Sequence, residues 1–230
     1  MFATIPPPAQ RLLVFARLPE AGKVKTRLAE AIGADKALAV YEAMLRDLLR
    51  GMGESSGKLE IEIAWAPTAS ANGDTLRRAF GSHTLVMQAG STLGDRLAMA
   101  FSERFFFHRT QKVIAIGVDD PRLSRETVDH AFGLLDSCEW VVGPAKDGGY
   151  YLIGCRAAAF NPAIFYDVAW GTDSVLATTL QRIREWNHTA AFLPVRYDID
   201  VLEDLQRFAR ETRESDGELP RLLRDWGMAA

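Results

Sequence analysis

The chain has 230 residues, 48% of them hydrophobic, which is enough to bury one sizeable core in a single domain. Its 27 Lys and Arg against 30 Asp and Glu give a net charge of −3, which argues against a general nucleic-acid or membrane binder. Cys138 and Cys155, the only cysteines, lack metal-ligand spacing and favour a reducing cytoplasm without a disulfide framework.

The first ten residues include three consecutive prolines and no apolar core region. We therefore expect residues 1–10 to form an extended lead-in, neither signal peptide nor membrane anchor, before one domain at residues 11–230. No apolar stretch of the chain approaches transmembrane length.

Strand and helix patterns alternate along the remaining chain. Strand patterns fall at residues 12–16, 59–66, 84–88, 112–118, 140–143, 150–154 and 191–194. Helix patterns begin at residues 35, 75, 92, 124, 174, 201 and 220. Thr92 and Asp95 resemble a capping box at the third of these starts. The alternation predicts a mainly parallel sheet with helices on both faces, whose ligands bind beyond the carboxyl ends of the strands. The loops after Ala16, Val118, Gly143 and Gly154 are then the expected ligand loops.

The loop after the first strand carries Lys23, Lys25 and Arg27 at alternate positions, just before a helical pattern. Backbone N–H groups and cations at such a place favour a polyanion, most simply a nucleotide phosphate chain. It is not a Walker loop, because Arg17 stands where the first Gly belongs and Val24 follows Lys23. The alternative is a solvated basic helix start.

Asp119 and Asp120 follow the fourth strand pattern, at the expected ligand edge of the sheet. Mg²⁺ or Mn²⁺ prefers one or two carboxylates together with substrate phosphates and water. Asp119 is the first choice of ligand and Asp120 the second. An Asp-Pro turn is the alternative.

Two later segments suggest an acceptor pocket. Asp147 precedes Gly148, Gly149 and Tyr150, where the glycines would let a second substrate approach the backbone closely. Asp-Gly-Gly also makes a good hairpin turn, which is the alternative. The stretch 165–174, which includes Trp170 and Thr172, could line the pocket with an aromatic wall and a helix N-terminus, although a buried Trp is more often simply core.

Near the end of the chain, Asp198 and Asp200 lie on the same side if the segment is extended. Asp200 could then be an additional metal ligand. It could instead be the N-cap of the next helix, with Glu203 completing a capping box, and both roles can coexist.

Together these segments resemble DUF2064, a bacterial glycosyltransferase-A-like family, some members of which are described as arsenosugar-biosynthesis glycosyltransferases. The matching segments are residues 15–28, 93–97, 117–123, 143–154, 170–172, 198–200 and 203–205. The family pattern often has Lys where Arg17 stands. It more usually has Ser or Cys at Asp120, which makes Asp119 the safer metal ligand.

The resemblance implies a single-domain glycosyltransferase-A-like (nucleotide-diphospho-sugar transferase) fold of the α/β class, with Mg²⁺ or Mn²⁺ as cofactor. It implies a metal-dependent enzyme that transfers a sugar from a nucleotide-diphospho-sugar to a small acceptor. A guanylyltransferase-like nucleotidyltransferase, using an NTP and a phosphorylated small molecule, is one alternative. A non-catalytic nucleotide-binding protein is the other.

The residues are assigned accordingly. We expect the nucleotide and its phosphates to contact Arg17, Gly22, Lys23, Lys25, Arg27 and Arg96. The expected metal ligands are Asp119 and Asp200, and Asp147 is the candidate catalytic residue that orients or deprotonates an acceptor hydroxyl. The expected acceptor pocket consists of Gly148, Gly149, Tyr150, Trp170 and Thr172. The expected partners are the donor and a small-molecule acceptor, with no nucleic acid.

Overall fold

The structure, a computed structural model, describes residues 9–228. Its strands are β1 (Gln10–Arg17), β2 (Leu59–Ala66), β3 (Thr84–Met87), β4 (Lys112–Ile116), β5 (Trp140–Pro144), β6 (Tyr150–Arg156) and β7 (Ala190–Phe192). Its α-helices are α1 (Thr26–Ile32), α2 (Ala34–Met52), α3 (Gly73–Phe80), α4 (Leu93–Phe106), α5 (Arg125–Leu134), α6 (Val175–Glu185), α7 (Leu202–Glu211) and α8 (Glu218–Asp225). Two 3₁₀ turns, Ala157–Ala159 and Pro162–Phe165, follow β6.

The strands form one sheet in the order β3-β2-β1-β4-β6-β5-β7. All neighbours are parallel except β6, which runs antiparallel to both β4 and β5. The prediction of a mainly parallel α/β sheet is therefore confirmed.

The direction of β6 corrects one expected ligand loop. Arg156, at the end of β6, pairs with Lys112 at the start of β4. The loop after Gly154 therefore lies at the opposite edge of the sheet from the loops after β1 and β4. The turn between β5 and β6 lies at the ligand edge instead, because consecutive antiparallel strands are joined by a hairpin.

Both faces of the sheet are covered, as the near-continuous apolar strands require. Leu12 and Val14 belong to the core cluster formed with α2, α5, α7 and α8. Leu13, which points to the other face, packs with Phe101 of α4 and with Phe165.

The helix starts follow the local signals. Thr92 and Asp95 form the predicted capping box of α4, and Ser124 accepts a hydrogen bond from the Thr127 amide at the start of α5. Of the expected lead-in, residues 1–8 lie outside the described residues, and Gln10 already belongs to β1. None of the helices at residues 9–228 is long and apolar enough to cross a membrane.

A buried ion cluster ties β1, β2 and α4 together. Glu62 is 2% exposed and contacts both Arg11 and Arg104. Arg104 donates to Glu62 Oε2 from Nε at 2.8 Å, and Arg11 donates to Thr110 at 2.9 Å. Removing one partner of such a cluster leaves buried charge uncompensated.

We therefore expect Glu62→Gln to lower the free energy of unfolding by about 3–5 kcal/mol, measured by urea denaturation. Glu60→Gln is the matched control. Glu60 contacts the same Arg11 at 2.9 Å but is far more exposed, so its loss is expected to be below about 1 kcal/mol. Equal losses in the two variants would contradict a structural role for the buried cluster.

Candidate active site

A cleft of 630 Å³ opens beyond the carboxyl ends of β1 and β4. The chain leaves β1 toward β2 on one side, whereas β4 lies on the other side of β1. Ligands of doubly wound sheets bind at such a reversal of strand order. The walls of the cleft include the first loop, the ends of these two strands, the start of α4, the first half of β6 and Asp200.

The end of β1 is held by a single phenol. Tyr41 Oη, from α2, accepts a hydrogen bond from the Arg17 amide at 2.8 Å and lies 3.1 Å from the Arg17 carbonyl, to which it donates. Burial raises the pKa of Tyr41 to about 12. The hydroxyl therefore stays protonated, and the loop leaves the strand in a fixed direction.

The predicted nucleotide-binding cations divide into two kinds. Arg17, Lys23 and Arg27 are exposed and line the cleft, and Arg96 reaches it from the first turn of α4. Arg96 donates to the Gly90 carbonyl at 3.2 Å. Lys25 also lines the cleft, but its side chain is almost entirely buried.

Two features of the first loop concern its shape and its charge rather than direct ligand contacts. Gly22 is absent from the walls of the cleft, and its φ of 74° shows that it shapes the turn. The helix that follows, α1, is only seven residues long. Side-chain cations, rather than the dipole of a long helix, therefore supply most of the positive charge.

Lys25 joins the two predicted metal ligands. Its Nζ lies 2.5 Å from Asp119 Oδ1 and 2.9 Å from Asp200 Oδ1, and its side chain is 4% exposed. Burial alone would lower the pKa of Lys25, but the attraction of the two carboxylates outweighs burial and raises it. The ammonium group is therefore charged and balances part of the carboxylate charge.

The positions of Asp119 and Asp200 also bear on whether a divalent cation fits this site. Asp119 Oδ1 and Asp200 Oδ1 converge on one position, which the Lys25 ammonium group occupies. Carboxylate oxygens are hard donors, the kind of ligand that Mg²⁺ and Mn²⁺ use. Within residues 9–228, no group of three His, Cys, Asp or Glu side chains is placed to hold a metal. The pair fits a cation that takes its remaining ligands from substrate and water.

Asp200 does not cap the next helix, contrary to one of its two expected roles. The N-cap of α7 is Val201, and the carboxylate that closes the turn is Asp204 rather than Glu203. Asp204 Oδ2 accepts from the amides of Asp200 and Val201, both at 3.1 Å. The Asp200 side chain does not close this turn and instead accepts a hydrogen bond from Lys25.

Asp120, the second choice of metal ligand, is occupied elsewhere. It is 3% exposed, and its carboxylate lies 2.7 Å from Arg122 and 3.1 Å from Arg196. Arg122 in turn stacks on the Tyr197 ring at 4.0 Å. Asp120 therefore anchors the loop after β4 through these two arginines, whereas the adjacent Asp119 lines the cleft.

Asp198 is a functional candidate to which the sequence patterns assigned no role. Its Oδ1 is buried without a hydrogen-bond partner in the described part of the chain, and it borders a 40 Å³ recess beside Asp119 and Tyr150. Burial, followed by the charges of Asp119, Asp147 and Asp200, raises its pKa to about 7. The spacing of Asp198 and Asp200, two positions apart, was the available signal in the sequence. The burial of Asp198 and its closeness to other carboxylates are tertiary properties that this spacing does not predict.

Asp147 lies in the turn between β5 and β6. Its side chain is exposed, and Oδ1 accepts from the Gly149 amide at 2.9 Å, as expected for a turn aspartate. Gly148 has a φ of 88°, and a Cβ there would lie 2.2 Å from the Asp173 carbonyl oxygen. Asp147 is absent from the cleft walls but contributes to the raised pKa of Asp198.

The five predicted acceptor residues are only partly assembled. Tyr150 lines the cleft, and Trp170 meets its ring edge-on at 6.2 Å. Thr172 contacts the Ala169 carbonyl at 2.7 Å within its own turn. Gly148 and Gly149 shape the β5–β6 turn. The structure thus brings Tyr150 to the cleft with Trp170 supporting it, and leaves the other three residues in turns.

Comparison with solved structures identifies the class of fold. A protein of Desulfovibrio desulfuricans G20, provisionally assigned as a nucleotide-diphospho-sugar transferase, is 31% identical, with a TM-score of 0.90. The match covers 96% of this chain and 97% of that chain. The fold of this chain is therefore that of the nucleotide-diphospho-sugar transferases.

Residues 53–172 match the family described as uncharacterized protein conserved in bacteria (DUF2064), and the chain belongs to this family. No curated protein matches the chain.

Two further solved structures share the fold at low sequence identity. A cytidylyltransferase of Leptospira borgpetersenii is 11% identical over 96% of both chains, with a TM-score of 0.54. The 4-diphosphocytidyl-2C-methyl-D-erythritol synthase of Anaerococcus prevotii is 12% identical, covering 86% of this chain and 94% of that chain, with a TM-score of 0.53. At these identities the likeness concerns the fold alone.

The raised pKa of Asp198 predicts a pH effect on stability. Between its unfolded pKa of 3.8 and its folded pKa of about 7, the unfolded chain loses this proton while the folded protein retains it. Stability therefore falls as pH rises through that window. Asp198→Asn removes this effect. Between pH 5 and pH 8, the free energy of unfolding of the variant should therefore fall by about 2–3 kcal/mol less than that of the parent.

The measurement is urea unfolding at both pH values in EDTA. Asp216→Asn is the control, because the Asp216 side chain is 95% exposed, and it should follow the parent. Identical pH dependence of Asp198→Asn and the parent would show that Asp198 ionises normally.

Proposed function

We propose that this protein is a cytoplasmic, metal-dependent transferase that moves a sugar from a nucleotide-diphospho-sugar to a small acceptor. The observation that supports it most is the juxtaposition in one cleft of Arg17, Lys23, Lys25, Arg27 and Arg96 with the converging carboxylates of Asp119 and Asp200. Cations suit a diphosphate, and paired carboxylates suit the metal that accompanies it. The domain in this proposal is the one predicted at residues 11–230, although β1 begins one residue earlier, at Gln10.

The cations act on the leaving group. Breaking the bond between the sugar and the diphosphate leaves negative charge on the diphosphate oxygens. Arg17 and Arg27, exposed on the cleft wall, are in place to donate charge-assisted hydrogen bonds to those oxygens. When bound at Asp119 and Asp200, Mg²⁺ or Mn²⁺ would neutralise further phosphate charge.

The acceptor side is assigned to the β5–β6 turn and the residues beside it. Tyr150 supplies an apolar wall of the cleft, and Asp147 lies in the preceding turn. In the proposal, the Asp147 carboxylate orients the attacking hydroxyl or takes its proton. Asp198 is the second carboxylate on this side, held closer to Asp119 in the recess.

Nucleotidyl transfer is the second candidate. The position of Lys25 between Asp119 and Asp200 favours it, since a lysine and a metal site so close together would also stabilise an α-phosphorus under attack. The two reactions differ in the bond that breaks and therefore in their products.

Product analysis distinguishes the candidates. The protein is incubated with Mn²⁺, a panel of nucleotide-diphospho-sugars or nucleoside triphosphates, and a set of small hydroxylated or phosphorylated acceptors. Acceptor-dependent release of a nucleoside diphosphate supports sugar transfer, and release of pyrophosphate supports nucleotidyl transfer. Asp119→Asn should abolish either release, because a neutral amide ligates a hard cation poorly. Nucleotide binding without either product would leave a non-catalytic nucleotide-binding protein.

Asp147→Asn tests the acceptor side. With the donor and acceptor so identified, we expect turnover to fall by about 10²–10⁴-fold, the usual contribution of a positioned base. Donor affinity, measured by calorimetry, should stay near that of the parent. Asn tolerates the turn and retains an oxygen for the Gly149 amide, so the fold should survive. Near-parental turnover would return Asp147 to a purely architectural role.

A further inference from the structure

Lys25 occupies the point at which the two proposed metal ligands converge. Its Nζ is within 2.9 Å of both carboxylates, a separation at which a divalent cation bound to the same two oxygens would meet the ammonium group directly. Two positive charges at that distance repel strongly, the more so because the lysine side chain is only 4% exposed. Lys25 and a metal therefore compete for Asp119 and Asp200.

The lysine is held there by the fold rather than by chance contact. Lys25 has a φ of 47°, a conformation that a residue with a side chain rarely adopts, directly before the first residue of α1. Asp119 and Asp200 lie 94 and 175 positions after Lys25 in the chain. Three separate segments thus meet at this ammonium group.

We propose that Lys25 is an internal counter-cation that keeps the metal site closed until a phosphate chain in the cleft draws the lysine away. This inference rests on the proposed function, since it takes Asp119 and Asp200 as the metal ligands. Lys25 lines the 630 Å³ cleft as well as contacting the carboxylates. Its Nζ therefore has a second set of anions to bind when a nucleotide diphosphate enters.

The consequence is coupled binding. A phosphate chain that takes Lys25 removes the competitor of the metal, and a metal that takes the carboxylates releases Lys25 for the phosphate. Each ligand must then strengthen the binding of the other by the same factor. Metal alone should bind the parent protein weakly, although two carboxylates are in place.

The test uses Mn²⁺ alone, with free ion counted by electron paramagnetic resonance. Lys25→Met removes the competing charge, and we expect Mn²⁺ to bind this variant at least about tenfold more tightly than the parent, the scale on which one close charge shifts an ionic equilibrium. Lys23→Met controls for the loss of one positive charge from the same loop. Lys23 is 62% exposed and contacts Glu20 instead, so its Mn²⁺ affinity should stay near that of the parent.

Lys25→Gln provides a second variant, because a neutral amide still donates hydrogen bonds between the carboxylates should Lys25→Met not fold. It should also bind Mn²⁺ more tightly than the parent. Adding Asp119→Asn to either variant should abolish the gain. Mn²⁺ affinity equal to or below that of the parent in the folded Lys25 variants would overturn the proposal.

The parent protein gives an independent readout. Reductive methylation followed by peptide mass spectrometry should find Lys25 protected without metal and reactive at Mn²⁺ concentrations that fill one site. Protection that persists in the metal-bound protein would also overturn the proposal. Failure of these metal tests alongside intact metal-dependent transfer would reject the role of Lys25 alone, whereas absence of any transfer product would reject the proposed function.

Discussion

One buried ammonium group organises the floor of the cleft. Lys25 joins the first loop, the end of β4 and the segment before α7 through Asp119 and Asp200. Without that positive charge, two carboxylates would face each other beside the half-buried Asp198. Their repulsion would push these segments apart. The shape of the cleft therefore depends on charge balance as well as on apolar packing.

The antiparallel course of β6 is the second constraint. It places the β5–β6 turn at the same edge of the sheet as the loops after β1 and β4. Tyr150 at the start of β6 thereby reaches the cleft, backed by Trp170. A parallel strand would have placed that residue at the far edge of the sheet. One reversal of direction thus adds Tyr150 to the walls of the cleft that the first loop also lines.

Local signals in the sequence were sufficient for most of the fold. Apolar periodicity predicted the strands and most of the helices, and Thr92 with Asp95 marked the start of α4 correctly. Strand direction was not predictable in the same way, because β6 has the same apolar pattern in either direction. The loop after Gly154 was assigned to the wrong edge of the sheet for that reason.

The site shows the same division between local and tertiary information. Residue types in loops predicted that Lys25, Asp119 and Asp200 belong to one site, and the structure brings these three together. Their direct pairing was not predictable, since it depends on segments far apart in sequence. Asp120 and Asp119 are chemically alike, yet Arg122 and Arg196 hold only Asp120. The surroundings that bind one of two neighbouring carboxylates to arginines and leave the other facing the cleft exist only once the chain has folded.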